Sequence, residues 1–128
     1  MENCKTTKTP LNANEKFTLS DGAKKVDEKN FRSVVGSLMY LTNTRPNITF
    51  AVSLISRFMH SPSKLHLGAA KRILRYVQGT LYFGISYLRS NSNKLIAFID
   101  SDWASCTDDR KSTTGYMISL GSGIVSWS

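Results

Sequence analysis

The segment SPSKLHLGAAKRILRYVQGTLYFGISYL, residues 61–88, contains the change of periodicity that decides the fold. Its first part carries one apolar stripe at helical spacing, formed by Leu67, Ala70, Leu74 and Val77. Ser61 and Pro62 provide a helix start signal, and Gly79 provides a stop signal. Beyond Gly79 the residues are mostly aromatic and aliphatic, which favours a strand. The segment therefore predicts a helix that ends near residue 79 and a strand over residues 81–88.

Two shorter helices are predicted upstream of this segment. Apolar residues recur at helical spacing from Asp27 to Thr42 and again from Pro46 to Met59. Asp27 is the expected N-cap of the first helix, and Pro46 fits the first turn of the second. Residues 1–26 are rich in Lys, Thr and Asn and have few apolar anchors, so they predict a flexible lead-in.

Downstream of the helices the pattern is that of strands. KLIAFID (94–100) is expected to pair with residues 81–88 through the turn RSNSN, and residues 113–120 pair with 123–128 around Gly121-Ser122-Gly123. The aromatic residues of these strands are expected in a core rather than stacked on bases: Tyr82, Phe83, Tyr87, Phe98, Trp103 and Trp127. The predicted class is α+β, with a helical cluster followed by an antiparallel sheet. Because residue 128 falls within a predicted strand, we expect that sheet to be incomplete.

Charge is unevenly distributed along the chain. The formal net charge is +8, and ten Lys or Arg residues but no Asp or Glu stand between Lys29 and Ile99. On the third predicted helix, Lys64, Lys71 and Arg75 lie close to one face opposite the apolar stripe, with Arg72 beside them. This pattern favours a polyanionic partner, with nucleic acid ahead of an anionic membrane surface. The alternative is a solvated basic surface that binds nothing specific.

Acidic residues are concentrated where the strand 94–100 ends. Asp100 closes that strand and Asp102 follows, which is a pattern suited to a divalent metal; the alternative is a surface acid at a turn. Asp108 and Asp109 precede a basic, Ser/Thr-rich loop, so they predict a solvated turn and not a polymerase aspartate pair. His60 and His66 suit no simple ligand pair and are expected at the surface.

The remaining composition excludes several classes of protein. Cys4 and Cys106 show neither zinc-ligand nor disulfide spacing. No apolar run approaches the length of a membrane span, and the polar N-terminus does not resemble a signal peptide. These features predict a cytoplasmic or nuclear protein with no membrane partner.

Several motifs together resemble the Pol polyprotein of copia-type retrotransposons. They are VGSLMYL (35–41), TRP (44–46), ITFAVS (48–53), SRFM (56–59), AAKRILRYVQGT (69–80), DSDWA (100–104) and DDRKSTTGY (108–116). Asn47 departs from the Asp that this family usually has after Arg-Pro, and Phe31 stands where the family often has Tyr. The resemblance covers nearly the whole chain, and the combination of motifs is specific.

The resemblance implies a division of the chain after the lead-in. Residues 27–80 would belong to the thumb and connection of the reverse transcriptase, and residues 81–128 would begin its ribonuclease H domain. Asp100 would be the first metal-binding aspartate of that nuclease. The helix that carries Lys64, Lys71, Arg72 and Arg75 would lie along the template–primer duplex.

The expected function is therefore that of a catalytically incomplete polyprotein fragment that binds nucleic acid. We expect weak, salt-sensitive binding to an RNA–DNA or DNA duplex. Mg²⁺ is the family's cofactor, but Asp100 alone is not expected to hold it tightly. Two alternatives stay open: a fragment that docks on other polyprotein segments without binding nucleic acid, and a segment that is active only when complemented by the rest of the polyprotein.

Overall fold

The computed structural model describes residues 4–12, 15–89, 94–101 and 114–127. The chain divides into two compact units, Met1–Phe83 and Gly84–Ser128. The described secondary structure of the first unit is almost entirely helical, and that of the second is a small antiparallel sheet. The predicted α+β class is thereby confirmed.

The helical unit contains three α-helices and one short 3₁₀ turn. They are α1 (Glu28–Thr42), the turn Pro46–Ile48, α2 (Thr49–Ser56) and α3 (Lys64–Gly79). Asp27 caps α1 as predicted, because its carboxylate accepts a hydrogen bond from the Asn30 N–H at 3.1 Å. The predicted second helix is interrupted, since its first three residues form the 3₁₀ turn.

The start of α3 differs from the prediction. Its N-cap is Ser63 and not Ser61, so Pro62 precedes the helix instead of occupying its first turn. The backbone N–H of Ser63 donates to Nδ1 of His66 at 3.0 Å, and the backbone N–H of His66 donates to the Ser63 hydroxyl. This reciprocal pair is a capping box, which fixes the first turn at Ser63.

The three helices and the turn share one apolar core. Its fully or nearly fully buried members are Phe31, Val35, Leu38, Ile48, Ala51, Val52, Ile55, Ala69, Ala70, Ile73 and Tyr76. On α3 the buried face is rotated from the predicted stripe, because Ile73 and Tyr76 are buried while Leu67, Leu74 and Val77 are only partly buried. The residues of the predicted stripe therefore lie along one side of the buried face of α3 and not at its centre.

The segment before α1 lies against the helical core without forming a helix. Leu11 and Phe17 pack against the core and are partly buried. Two backbone hydrogen bonds join residues 24–26 to the entry of α3, from Val26 N–H to the Pro62 carbonyl and from Lys64 N–H to the Lys24 carbonyl. The flexibility predicted for residues 1–26 stays a prediction. However, Leu11 and Phe17 contact the core, although the sequence pattern indicates few apolar contacts for this segment.

The sheet unit is an antiparallel meander. Its strands are β1 (Leu95–Ser101), β2 (Thr114–Leu120) and β3 (Gly123–Trp127), in the order β1-β2-β3. Gly121 adopts a positive φ of 59° in the two-residue connection between β2 and β3, where glycine is favoured. The predicted second hairpin is therefore confirmed.

The strand predicted over residues 81–88 is wrong. These residues are irregular, and Tyr87 and Leu88 contact the β2–β3 hairpin through side-chain hydrogen bonds instead of a backbone ladder. The Tyr87 hydroxyl donates to the Ile124 carbonyl at 2.6 Å, and the Leu88 N–H donates to the Ser122 hydroxyl at 3.0 Å. Because the polar side chains of Tyr87 and Ser122 supply these bonds, the segment joins the sheet without extending it.

The expected aromatic core is wrong for four of the five described residues that were assigned to it, while Trp127, the fifth, is half-buried. Tyr82, Phe83, Tyr87 and Phe98 are all exposed. For Tyr87 and Phe98 the reason is that strand propensity reflects fit to a pleated surface, whereas burial requires a second layer. The described residues of the sheet unit form one layer. Trp103 lies outside the described residues.

In the described part of the chain, no helix is long and apolar enough to cross a membrane. The predicted cytoplasmic or nuclear compartment stays a prediction.

Candidate nucleic-acid interface

Three of the predicted binding residues share the solvent face of α3. Lys64, Lys71 and Arg75 lie within about 40° of one another around the helix axis, directly opposite the buried face that contains Ile73. They are spread over about 16 Å of helix length. Lys64 and Lys71 are exposed, and Arg75 is half-buried. The helix therefore presents a row of cations that is fixed by its packing on α1 and α2.

Gly68 opens the middle of this row. It lies between Lys64 and Lys71 on the same face, and a Cβ added to it would meet nothing within 4 Å. Internal packing thus does not explain a glycine here, although glycine costs about 1 kcal/mol relative to alanine within a helix. Because Gly68 has no side chain, a ligand can reach the helix backbone between Lys64 and Lys71.

The row has no acidic partner among the residues that the structure describes. The ion pair found there joins Glu28 to Arg32 at 2.8 Å, and the Asp21 carboxylate lies 3.9 Å from the ring of His66. The first turn of α3 also lacks acids. Within the described ranges, no acid at ion-pair distance offsets the positive potential along this face. The assignment of these residues to nucleic acid stays a prediction.

Arg72 is not part of this face. Its guanidinium Nη2 donates to the Thr9 hydroxyl at 3.0 Å, and its backbone carbonyl accepts from the Thr7 hydroxyl at 3.3 Å. Its Nε is buried and has no hydrogen-bond partner among the described residues. Arg72 thus lies on the flank of α3, where it contacts the N-terminal segment.

Arg45 is likewise unavailable to a ligand, although it belongs to the long acid-free stretch. It is buried, and its Nη2 donates to the Thr80 hydroxyl at 2.5 Å. Thr80 caps the C-terminal end of α3, where the helix dipole favours a cation. Arg45 therefore has a structural role that a count of basic residues does not reveal.

Asp100, the predicted metal-binding aspartate, is exposed near the end of β1. It is paired with Gly115 across the sheet, and its neighbours on the same face include Phe98 and Met117. These neighbours offer no oxygen to a cation. Asp102, Asp108 and Asp109 lie outside the described residues. Within the described ranges, no group of three His, Cys, Asp or Glu residues is placed to hold a metal ion, so the residues in view do not by themselves fit Mg²⁺.

A buried polar cluster was missed by the sequence interpretation. His66 was expected at the surface, but it is fully buried, and its ring stacks on Phe58 with centroids 4.0 Å apart. The Ser63 hydroxyl donates to the Asp21 carboxylate, which lowers the pKa of Asp21. Burial lowers the pKa of His66. The Ser-x-x-His spacing at a helix start was the available signal; His60 is exposed, as predicted.

This cluster contains the residue types of a hydrolase triad but not its geometry. The Ser63 hydroxyl bonds to Asp21 and is fully buried together with His66, so it is not accessible to a substrate. The cluster instead joins the segment before α1 to the first turn of α3.

Comparison with known proteins gives relatives over nearly the whole chain. An uncharacterised mitochondrial protein of Arabidopsis thaliana is 46% identical over 129 residues, covering 100% of this chain and 53% of the relative. The retrovirus-related Pol polyprotein from transposon RE1 of Arabidopsis thaliana is 47% identical over 120 residues, covering 94% of this chain and 8% of the relative. The corresponding Pol polyprotein from transposon TNT 1-94 of Nicotiana tabacum is 39% identical over 138 residues, covering 99% of this chain and 10% of the relative.

This chain thus spans about half the length of the mitochondrial relative and a tenth or less of the two Pol polyproteins. No protein-family model matches the sequence, and no solved structure matches it.

Proposed function

The chain belongs to the family of retrovirus-related Pol polyproteins of copia-type transposons, and on this premise we propose that it is a nucleic-acid-binding segment of a reverse transcriptase–ribonuclease H polyprotein. In this proposal, residues 27–80 belong to the thumb and connection of the polymerase. Residues 81–128 belong to the beginning of the ribonuclease H domain and contain its first strands. The ligand is the duplex of template and primer, bound through its phosphates.

The observation that carries this proposal is the row formed by Lys64, Lys71 and Arg75. Three cations on one face of a rigid helix suit a phosphate backbone, because each side chain can reach a phosphate without rearrangement of the fold. The open position at Gly68 allows the backbone of the duplex to approach the helix closely. Few contacts also imply weak binding, since affinity for a duplex grows with the number of phosphates neutralised.

The proposed contribution to nuclease chemistry is one carboxylate. A two-metal nuclease site needs several carboxylates from different elements, so that one ion activates water and the other stabilises the leaving oxygen. In this proposal Asp100 is the first of them, and the others come from other parts of the site. The chain alone is therefore expected to be catalytically incomplete and not to bind Mg²⁺ tightly.

The binding test uses a fluorescently labelled RNA–DNA hybrid and measures its anisotropy at about 50 mM and about 200 mM KCl. The test variant combines Lys64→Gln, Lys71→Gln and Arg75→Gln. A matched control combines Lys29→Gln, Arg89→Gln and Lys94→Gln, which removes the same charge from exposed positions that are not part of α3. We expect salt-sensitive binding that the test variant loses by more than tenfold and the control largely retains.

Two outcomes contradict the proposal. One is a folded wild-type chain that does not bind the hybrid at the lower salt concentration. The other is an equal loss in the test variant and the control, which would indicate an unspecific effect of net charge.

A second candidate function is docking on other segments of the Pol polyprotein, and the exposure of β1 favours it. Leu95, Phe98 and Ile99 are all more than half exposed on this strand, and exposed apolar strands at a sheet edge favour pairing with another chain. This candidate would be supported if the chain associates with the rest of the polyprotein at all salt concentrations and does not bind the RNA–DNA hybrid. Mg²⁺-dependent hybrid cleavage that appears only in that mixture, and is lost in Asp100→Asn, would support activity by complementation.

A further inference from the structure

The N-terminal segment, residues 4–12, lies along the flank of α3 beside its basic face. The Thr7 hydroxyl donates to the Arg72 carbonyl, and the Arg72 guanidinium donates to the Thr9 hydroxyl. Further along, Leu11 packs against the helical core. The two contacts with Arg72 join residues that are 65 and 63 positions apart in sequence, so they define where the segment lies on the helix.

Glycine at the end of α3 permits a close approach of the same segment. A Cβ on Gly79 would lie 2.9 Å from Cβ of Thr6 and 3.2 Å from its Cγ2. Such distances require the segment to shift. Unlike Gly68, Gly79 therefore has an internal packing role, which is to let Thr6 lie directly on the last turn of α3.

Two lysines are carried by this docked segment. Lys5 directly precedes the anchoring residues Thr6 and Thr7, Lys8 lies between Thr7 and Thr9, and both lysine side chains are exposed. Neither forms an ion pair with the acids that the structure describes. The segment thus adds two uncompensated cations to the helical unit beside the row on α3.

We infer that Lys5 and Lys8 are part of the nucleic-acid interface and that Arg72, held between Thr7 and Thr9, acts as a positioning residue that keeps them beside α3. This inference rests on the proposed function and extends it from one helix to two elements. It also changes the role of Arg72, whose guanidinium is engaged with the segment and does not lie in the row that faces a duplex.

The experiment compares hybrid binding by the wild type with two variants that should disturb the same contacts in different ways. Lys5→Gln with Lys8→Gln removes the two charges and leaves the segment docked. Gly79→Ala removes no charge but displaces Thr6 and with it the segment. The salt dependence of binding gives the readout, since each lost phosphate contact lowers the slope of log K against log salt by about 0.9.

We expect the double lysine variant to bind about tenfold more weakly at low salt and to have a slope lower by about 2. Gly79→Ala should change the slope in the same direction, and adding Lys5→Gln and Lys8→Gln to it should have little further effect. Thr6→Gly in the Gly79→Ala background should restore binding, because it removes the atoms that the new Cβ would meet. Circular dichroism verifies that each variant is folded.

The inference is overturned if the double lysine variant binds as tightly as the wild type while the variant of Lys64, Lys71 and Arg75 loses binding. That result would be consistent with the proposed function, but it would show that Lys5 and Lys8 are not part of the nucleic-acid interface. It is also overturned if Gly79→Ala leaves the salt slope unchanged. Absence of hybrid binding by the folded wild type would instead contradict the proposed function itself.

Discussion

His66 accepts a hydrogen bond through its ring Nδ1 from the backbone N–H of Ser63, at 3.0 Å. An imidazole nitrogen can accept only when it carries no proton, so this bond requires the neutral ring with its proton on Nε2. Protonation of Nδ1 would place two N–H groups against each other in a fully buried position. The capping box of α3 is therefore compatible with neutral His66 only.

This geometry predicts that acid destabilises the helical unit. Burial lowers the pKa of His66 in the folded state below 6.5, despite the nearby Asp21 carboxylate, which favours the charged ring; Lys25 acts in the same direction as burial. As the pH falls below about 6.5 the unfolded chain binds a proton that the folded chain does not. The free energy of unfolding should then decrease, by at most about 1.4 kcal/mol per pH unit, until the folded pKa is reached.

Urea denaturation between pH 7.5 and pH 5 measures this effect. His66→Gln keeps an acceptor for the Ser63 N–H and cannot titrate, so its stability should vary less over this range. His60→Gln is the matched control, because His60 is exposed, and its pH dependence should equal that of the wild type. The interpretation fails if His66→Gln and the wild type lose the same stability on acidification.

The helices were predictable because each signal was local. Asp27 precedes a run of apolar residues at helical spacing, and both the cap and the run predict that a helix begins after Asp27. The core positions Phe31 and Ile55 follow from the same periodicity. Phe31, which departs from the Tyr often found in the family, is fully buried, and Asn47 donates through its Nδ2 to the Tyr76 hydroxyl at 2.8 Å.

The features that were not predictable depend on contacts between distant residues. The Ser-x-x-His spacing indicates a capping box at His66, but it gives no sign that Asp21 and Phe58 surround the ring. Arg72 is a basic residue of α3 like the members of the basic face, but its guanidinium donates a hydrogen bond to Thr9, which is 63 positions away in sequence. The residues 81–88 have strand propensity, yet a strand also needs a neighbour to pair with, and propensity does not supply one.

The cap of α1 gives a second prediction about stability. The Asp27 carboxylate accepts from the Asn30 N–H at 3.1 Å and is near the Lys29 N–H at 3.4 Å, so it satisfies backbone donors that the helix leaves unpaired. Asp27→Ala should lower the free energy of unfolding by about 1 kcal/mol. Asp27→Asn retains an oxygen acceptor and should cost much less. Equal losses in the two variants would show that charge at this position, and not the cap, carries the effect.

The contact between Tyr87 and Gly123 gives a prediction for the sheet unit. A Cβ on Gly123 would lie 2.5 Å from Cδ1 of Tyr87, which is too close for the ring to stay in place. Displacement of the ring should break the hydrogen bond from its hydroxyl to the Ile124 carbonyl and release the neighbouring Leu88 from Ser122. Gly123→Ala should therefore destabilise this unit by about 1–3 kcal/mol, as overpacking does elsewhere.

Hydrogen exchange at the Leu88 amide provides a direct measurement, because this N–H donates to the Ser122 hydroxyl only while the segment is in place. We expect faster exchange there in Gly123→Ala. Gly84→Ala is the matched control, since a Cβ at Gly84 meets nothing within 4 Å, and exchange should stay at the wild-type rate. Tyr87→Ala removes the clashing ring, so Gly123→Ala should cost little further stability in that background. If its cost is undiminished there, the destabilisation arises within the β2–β3 hairpin and not from the loss of its contact with Tyr87.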